Sequence, residues 1–537
     1  MEFGNAVAEA LTVMRDEKKH YKDYLPPKAI LTGKKMAGAT DGLWEDVLES
    51  ITKLVKDEIP YQYPHVAVWW YSVLMGMVKN PLLFKEFVRY VRENRKAFAA
   101  NTQYFLFGQL KALLFLYQGL DSTEGKTELW HFFMEIVEQF AEEMQEPLEV
   151  IPPEKRNENL VVVITEQFLS VQHGPTKSAL DRCKAIITGM GKNVLLLNVA
   201  ELLSNVGEIP FYNVRYASYM PEKNGEKIQF WKGVEISYYQ CRNDMPDMKT
   251  MEGLLREIRE MAPGRVVTIG GGGVFGGLVS RMIPVLTVGM VPSGLEYTCA
   301  QYQTLGRKLT EEDVLMLQHV GRTERHVIES VFTSSLKLQE EHITRKTLGI
   351  GENKFLMMVI GTRLDDEVTD EFLMMLDEML EEDMYVGFLG YFSKYKDYIN
   401  KFRRLKEQSS YLGFCADILS RLEICDLYVN PIRKGGGTSC VEAMFLGIPV
   451  VTVNYGDVAV NAGEAFCVKD YAEMQKKIWQ YYNDKAYYRE MSETARKRTD
   501  VLLNTEKEFI RIMQEMDKRE QDCIQRKARQ NAGVDAD

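Results

Sequence analysis

The sequence lacks the features that mark secreted, disulfide-bonded or membrane-spanning proteins. Its eight cysteines are scattered and form no C-x-x-C pair, which argues against a zinc ribbon or a disulfide framework and fits reduced thiols. Its longest largely apolar run covers only residues 66–78, whereas a membrane-spanning helix takes about 20 residues. The first residues show no basic segment followed by an apolar one. We therefore expect a cytoplasmic protein with no transmembrane segment.

A surplus of basic residues is also missing. The 66 lysines and arginines are outnumbered by 77 aspartates and glutamates, and the net charge is −11. Proteins that bind nucleic acids in general carry a basic surface, so no nucleic-acid partner is expected. A local basic cleft remains compatible with this balance, because net charge does not describe one pocket.

The composition is otherwise that of a globular protein with more than one domain. Of the 537 residues, 45% are hydrophobic and 27% are charged. Since a hydrophobic core rarely serves more than about 300 residues, two or three domains are expected. Residues 1–148 are predicted to form an all-helical domain, because their apolar positions recur at three- and four-residue spacing. The predicted helices cover Leu43–Val55, His65–Lys79, Gln103–Tyr117 and Thr127–Glu143, and a further helix restarts at Asn80-Pro81.

From Leu160 onward, short apolar runs alternate with helical segments. Such alternation is typical of parallel sheets covered by helices on both faces. It predicts one doubly wound α/β domain over residues 158–345 and a second over 346–505, followed by a C-terminal helix and tail over 506–537. Two such domains in tandem enclose a cleft at the carboxyl ends of their strands. The predicted strands are 160–164, 194–197, 266–269, 284–288, 355–360, 384–389, 426–430 and 449–453.

The segment 425–457, CDLYVNPIRKGGGTSCVEAMFLGIPVVTVNYGD, carries the strongest chemical signal. A buried strand leads into Gly435-Gly436-Gly437, where the backbone can turn sharply and approach a ligand. Thr438 or Ser439 then begins a helix, whose N-terminal amides and positive dipole end suit a diphosphate. Glu442 lies about one turn further and could accept hydrogen bonds from ribose hydroxyls. The alternative reading is a plain strand–turn–helix unit that needs its glycines only for tight packing.

The same segment resembles the nucleotide-sugar-binding signature of group 1 glycosyltransferases, which have the GT-B fold. The pattern E-A-M-x-x-G-x-P-V-V stands here as Glu442 through Val451. The turn formed by Gly436, Gly437, Thr438 and Ser439 is also similar to the Gly-His-Thr-Thr turn of the O-GlcNAc transferase family, although the histidine is absent. The resemblance implies an α/β protein with two Rossmann-like domains that face a cleft. It also implies that Glu442 holds the ribose and that the helix N-terminus holds the diphosphate.

One position departs from the pattern of the retaining members of this family. They carry a second glutamate at the position that Lys434 occupies here. The inverting or retaining outcome therefore stays open, and a lysine beside the diphosphate would neutralise charge on the leaving group. No Asp-x-Asp ends a predicted strand at the cleft, and Asp365-Asp366 is interpreted as a solvated loop pair. We therefore expect metal-independent chemistry with no cofactor, in which a UDP-sugar is the donor substrate.

Further candidate residues lie in the loops that follow other predicted strands. Arg363 is expected to bind the diphosphate. The alternative is that it is a solvent-exposed loop arginine with no such role. Phe414 is expected to pack against the base, the alternative being a core position. The loop Gln-His-Gly-Pro-Thr-Lys-Ser is similar to a loop of O-GlcNAc transferases, and it makes His173 the candidate general base. The alternative interpretation is that His173 only caps the helix or packs against it. Lys177 in the same loop could bind phosphate or the acceptor.

A second glycine run, Gly270–Gly277, follows the predicted strand 266–269. Turns of this kind bind dinucleotides when they open the first βαβ unit of a domain and an acidic residue closes the second strand. Neither condition is met here. We therefore expect a loop that faces the cleft and approaches the acceptor or the sugar, the alternative being tight packing.

These features together predict a glycosyltransferase that moves a sugar of the GlcNAc or glucose type from a UDP-sugar to an acceptor. Related protein-modifying transferases carry helical domains that dock polypeptides, so a protein side chain is the expected acceptor. A polysaccharide or cell-envelope acceptor is one alternative. A non-catalytic GT-B partner of an active transferase is another, which Lys434 would fit. A partner subunit or a homo-oligomer is compatible with each reading.

Overall fold

The chain divides into two compact units. The first contains the described part of Met1–Met144 together with Leu202–Ala217 and Asp244–Met248, and the second contains Gln145–Glu201, Ser218–Asn243 and Lys249–Asp537. Two segments from the predicted first α/β domain therefore pack with the helical region. The computed structural model describes residues 64–77, 79–171, 173–336 and 339–531.

The first unit is built from helices in its described part. The helix Pro81–Glu93 begins where the sequence predicts a restart, because the Asn80 side chain accepts hydrogen bonds from the amides of Leu82 and Leu83 at 2.8 and 3.2 Å. Pro81 fills the first helical position. The predicted helix over Leu43–Val55 lies outside the described residues. The helices are α1 (Pro64–Met77), α2 (Pro81–Glu93), α3 (Ala100–Leu116) and α4 (Thr123–Glu143).

The second unit contains two sheets, of which the first has eight strands in the order β3-β4-β2-β1-β5-β6-β7-β8. All neighbours are parallel except β3 and β4, which form an antiparallel hairpin at one edge. This hairpin was not predicted from the sequence. The strands are β1 (Asn157–Thr165), β2 (Asn193–Asn198), β3 (Gly225–Trp231), β4 (Val234–Gln240), β5 (Pro263–Ile269), β6 (Val285–Val288), β7 (Tyr302–Leu305) and β8 (Val327–Glu329).

The second sheet has six strands, all parallel, in the order β11-β10-β9-β12-β13-β14. Its central strands are buried except at the two ends of β9, as the uninterrupted apolar runs predict. The strands are β9 (Phe355–Gly361), β10 (Met384–Gly390), β11 (Ser409–Gly413), β12 (Leu427–Asn430), β13 (Val450–Val453) and β14 (Cys467–Val468).

Helices flank both sheets. Those that follow strands of the first sheet are α5 (Gly174–Met190), α6 (Met248–Met261), α7 (Gly273–Val279) and α8 (Glu311–His319). Those that follow strands of the second sheet are α9 (Leu364–Glu367), α10 (Asp370–Met379), α11 (Tyr395–Ile399), α12 (Arg403–Gln408), α13 (Ile418–Leu422), α14 (Gly437–Phe445), α15 (Gly456–Ala462), α16 (Tyr471–Asn483) and α17 (Lys485–Leu502). No helix in the described part of the chain is both long enough and apolar enough to cross a membrane.

The last helix, α18 (Thr505–Asn531), returns from the second α/β domain to the first. Thr188 of α5 donates a hydrogen bond to the Glu506 carboxylate at 2.7 Å. Apolar residues of α18 such as Phe509 and Met513 join the core under the first sheet. The chain therefore crosses between the two α/β domains twice, once before β9 and once before α18.

Candidate functional site

A cavity of about 690 Å³ lies where the carboxyl ends of strands from both α/β domains meet. Its walls are formed by the β1–α5 loop and α5 on one side, and by the β9–α9 loop, the β11–α13 loop and the start of α14 on the other. Nine residues singled out from the sequence line it: His173, Lys177, Arg363, Phe414, Gly436, Gly437, Thr438, Ser439 and Glu442. The structure therefore brings together residues that are far apart in the sequence.

The turn before α14 leaves backbone donors facing this cavity. Gly436 has φ +97°, a left-handed conformation, and a Cβ atom there would lie 2.6 Å from the Arg433 guanidinium. Gly436, at the N-cap position, has no side chain to cap the helix, and the first backbone hydrogen bond of the helix is donated by Cys440 to the Gly436 carbonyl. Within the described residues, the amides of Gly437, Thr438 and Ser439 are therefore left for a ligand, at the positive end of the helix dipole.

Glu442 lies one turn behind these amides. Its side chain is only 7% exposed and accepts no hydrogen bond from the described residues. Burial raises the pKa of Glu442 to about 7, and the nearby Lys177 ammonium, from the other α/β domain, partly opposes that rise. A buried carboxyl without a hydrogen-bond donor is costly unless a ligand supplies one.

Arg363 follows β9 and lines the same side of the cavity. One of its guanidinium nitrogens, Nη2, is 2.9 Å from Oε1 of Glu367. The second oxygen of Glu367 pairs with the fully buried Arg433 at 2.7 Å. Arg433 and Glu367 were not identified from the sequence. Glu367 follows β9 and Arg433 follows β12, so the contact between them joins two parts of the chain that are far apart in sequence. Local spacing therefore did not reveal it.

Two aromatic rings form the outer edge of the cavity. Phe414 is 52% exposed and Tyr391 is 54% exposed, and their rings stack with centroids 5.0 Å apart and an interplanar angle of 6°. Phe414 therefore is not a core residue, which removes the alternative reading of that position. Tyr391 was missed, although it directly follows the carboxyl end of a predicted strand, where ligand-binding residues are expected.

His173 stands directly before α5, at its N-cap position. Its Nδ1 atom is 3.0 Å from the Thr176 hydroxyl, which fixes the ring. Burial, together with the positive charge of Lys177, lowers the pKa of His173 to about 4. The imidazole is therefore neutral at pH 7 and able to accept a proton.

The same face of α5 carries buried polar groups that lack partners. The Ser178 hydroxyl and Oδ2 of Asp181 form no hydrogen bond within the described residues, although both side chains are buried and line the cavity. The other oxygen of Asp181 accepts hydrogen bonds from Trp231 at 2.8 Å and Lys232 at 3.1 Å. Neither atom is accessible to solvent in this arrangement, so a bound molecule can reach them only if neighbouring groups move.

A hydrogen bond joins the two α/β domains beside the cavity. The Asp457 carboxylate, at the start of α15, accepts from the Ser293 hydroxyl at 2.8 Å. Burial raises the pKa of Asp457 to about 7, and the hydrogen bonds from Ser293 oppose that rise. The two cavity walls are therefore held together by direct contact as well as by the covalent crossings.

Two sequence candidates are placed outside the cavity. Lys434 is not among the residues that line it; its carbonyl accepts a hydrogen bond from the Asp457 amide at 2.7 Å. The run Gly270–Gly277 does not line it either. The Glu201 carboxylate occupies the N-terminus of α7, where it accepts from the amides of Val274 at 2.6 Å and of Phe275. The expectation that this run faces the cleft is therefore wrong, since a side chain of the protein already fills that anion site.

Comparisons with known proteins agree with this architecture. Residues 341–498 match the family described as Glycosyl transferases group 1. Among solved structures, an O-GlcNAc transferase from Thermobaculum terrenum aligns over 96% of this chain and 96% of its own, with a TM-score of 0.53 and 11% identity. A glycosyltransferase from Rickettsia africae ESF-5 aligns over 67% of this chain and 98% of its own, with a TM-score of 0.49 and 11% identity.

Anabaena HepE, solved in complex with UDP and glucose, aligns over 67% of this chain and 100% of its own, with a TM-score of 0.45 and 13% identity. A comparison with curated protein sequences gives no match. At 11% identity, the likeness to the O-GlcNAc transferase structure shows the fold. The predicted GT-B architecture of two Rossmann-like domains is confirmed, and so is the resemblance of the second domain to group 1 glycosyltransferases. The all-helical character of residues 1–63 stays a prediction.

Proposed function

We propose that this protein is a metal-independent glycosyltransferase that moves a sugar of the GlcNAc or glucose type from a UDP-sugar to an acceptor. One observation carries the proposal: the N-terminus of α14, where Gly436 has no side chain to cap the helix, opens into the cavity, with the buried Glu442 one turn behind it. Backbone amides at a helix N-terminus suit phosphate, and a carboxylate suits the hydroxyls of a ribose.

The diphosphate of the donor binds at the amides of Gly437, Thr438 and Ser439. Arg363 meets its charge from the β9–α9 loop. Both groups stabilise the negative charge that develops on UDP as the sugar leaves, which is the role a metal ion plays in other transferases. Lys434, which does not line the cavity, is given no contact with the diphosphate in this proposal.

The nucleoside occupies the rest of this wall. Glu442 accepts hydrogen bonds from the ribose, and these replace the water that its buried carboxyl has lost. The base packs against the Phe414 ring, which is exposed at the cavity edge and backed by Tyr391. UDP is the proposed nucleotide because the motif resembles a signature of UDP-sugar enzymes.

The reaction exchanges one bond at the anomeric carbon. The acceptor atom bonds to C1 of the sugar as the bond from C1 to the β-phosphate oxygen breaks, and the electron pair leaves with UDP. Nε2 of His173 takes the acceptor proton. A low histidine pKa weakens the base but keeps it unprotonated at pH 7.

We propose a protein side chain, of Ser, Thr or Asn, as the acceptor. The wall formed by Ser178 and Asp181 contributes hydrogen bonds to groups around the reacting atom once neighbouring groups move. Asp181→Asn should raise the KM for the acceptor and leave the hydrolysis of the donor by water unchanged. Equal effects on both reactions would remove this residue from the acceptor side.

The test uses a panel of nucleotide sugars. UDP release and mass spectrometry of a co-expressed acceptor protein should identify one productive donor, and calorimetry should show UDP binding that Glu442→Ala weakens. Unchanged UDP affinity in Glu442→Ala would remove the ribose role of that residue. Tight UDP binding with no transfer to any acceptor would favour the alternative of a non-catalytic partner subunit.

A further inference from the structure

An acidic residue in a cavity built for a diphosphate needs an explanation. Glu367, at the end of α9, lines the cavity beside Arg363 and is only 7% exposed. By charge alone, a carboxylate at this position repels a nucleoside diphosphate. Its contacts indicate a different role.

Glu367 connects two arginines that have different surroundings. Its Oε1 holds Nη2 of Arg363 at 2.9 Å, and its Oε2 holds Nη1 of Arg433 at 2.7 Å. The Arg363 side chain is 36% exposed, whereas that of Arg433 is 2% exposed. The carboxylate therefore links a buried cation to one that reaches the cavity.

Arg433 is committed to contacts within the protein. Its Nε donates to the Asn430 side chain at 2.7 Å, and its Nη2 donates to the Ile360 carbonyl at 2.6 Å and the Tyr428 hydroxyl at 3.0 Å. These partners belong to the carboxyl ends of β9 and β12, the two central strands of the second sheet. The sheet therefore fixes Arg433, and Arg433 fixes Glu367.

Glu367 stays ionised in this position. Its burial alone would raise the pKa, but the charges of Arg433 and Arg363 and their hydrogen bonds hold the pKa of Glu367 below its ordinary value. A hydrogen bond between charged groups holds the flexible arginine side chain in one orientation before a ligand binds. Less side-chain entropy is then lost when the ligand binds.

We propose that Glu367 is a positioning residue, held by Arg433, that orients Arg363 toward the diphosphate of the donor. The inference rests on the proposed function. If Glu367 orients Arg363, removal of its carboxylate should weaken UDP binding. If its negative charge only repels the diphosphate, removal should strengthen UDP binding.

The experiment measures UDP affinity by calorimetry for the wild type and for Glu367→Gln. If Glu367 positions Arg363, the variant should bind UDP about tenfold more weakly, a loss of about 1.4 kcal/mol, because the hydrogen bond between the two charged groups no longer orients Arg363. If only charge matters, removal of the carboxylate should tighten binding. Glu371→Gln, on the exposed side of α10, removes the same charge and should leave UDP affinity unchanged.

Two further variants separate positioning from a loss of structure. Glu367→Asp keeps the charge near Arg433 but shortens the reach to Arg363, so it should also weaken UDP binding while its thermal unfolding stays cooperative. In an Arg363→Ala background, Glu367→Gln should no longer weaken binding, because the side chain it orients is absent. A purely structural role would weaken binding to the same extent in both backgrounds.

The outcomes distinguish this inference from the proposed function. A wild-type protein that does not bind UDP would overturn both. A wild-type protein that binds UDP, with Glu367→Gln and Glu367→Asp binding as tightly or more tightly, would overturn the positioning role and leave the proposed function standing.

Discussion

The Glu442→Gln substitution should stabilise the second α/β domain at alkaline pH while it weakens nucleotide binding. Burial raises the pKa of Glu442 from 4.5 to about 7, and the residue is 7% exposed with no hydrogen-bond donor among the described residues. The unfolded chain ionises this group near pH 4.5. An acid whose folded-state pKa is raised contributes stability that is complete below the unfolded pKa and is lost as pH rises through the folded value.

The magnitude follows from the two pKa values. At about 1.4 kcal/mol for each tenfold change in protonation, ionisation of Glu442 costs the folded state about 3 kcal/mol above pH 7. Glutamine has nearly the same shape and carries no charge at any pH. The variant and the wild type should therefore be similarly stable at pH 4.5, and the variant should be more stable by about 3 kcal/mol at pH 8.

The assay is urea unfolding at both pH values, followed by hydrogen exchange of peptides from β12 through α14. Glu490→Gln, on the exposed surface of α17, is the matched control and should show no such difference between the two pH values. A Glu442→Gln protein that is equally stable or less stable at pH 8 would refute the reasoning. So would a difference of the same size at both pH values.

Three further substitutions have distinct expected effects. Gly436→Ala should destabilise the second α/β domain by about 1–3 kcal/mol and abolish UDP binding in calorimetry, because its Cβ meets the Arg433 guanidinium at a left-handed backbone position. Phe414→Ala should weaken UDP affinity about tenfold or more, since stacking of a base on an aromatic ring is worth roughly 1–3 kcal/mol; unchanged affinity would place the base elsewhere. His173→Gln should lower kcat for transfer by about 10²–10⁴-fold with UDP affinity intact, and a normal kcat would exclude it as the base.

The parts of the fold that could be predicted are those with local causes. Asn80 and Pro81 restart a helix through contacts within one turn, and buried parallel strands such as β9 require unbroken apolar runs. The hairpin of β3 and β4 was missed because it lies at a sheet edge. Its first strand exposes Ile228 and Phe230 to solvent, so its apolar residues do not form a buried run.

The candidate site also contains residues that local sequence spacing predicts and residues that only the folded chain brings together. The glycines and Glu442 were identified because their spacing within one turn and one helix fixes their relation. The order of Arg433 and Lys434 along the chain does not tell which side chain points inward, and the structure buries Arg433. The filling of the α7 N-terminus by Glu201 was equally hidden, because that carboxylate comes from a distant loop.

A crystal structure with UDP tests the central claim most directly. The account predicts phosphate oxygens within about 3 Å of the amides of Thr438 and Ser439, the range of a hydrogen bond. It also predicts a ribose hydroxyl on Glu442 and the base on Phe414. An empty cavity at saturating UDP, or a nucleotide bound away from the start of α14, would contradict it.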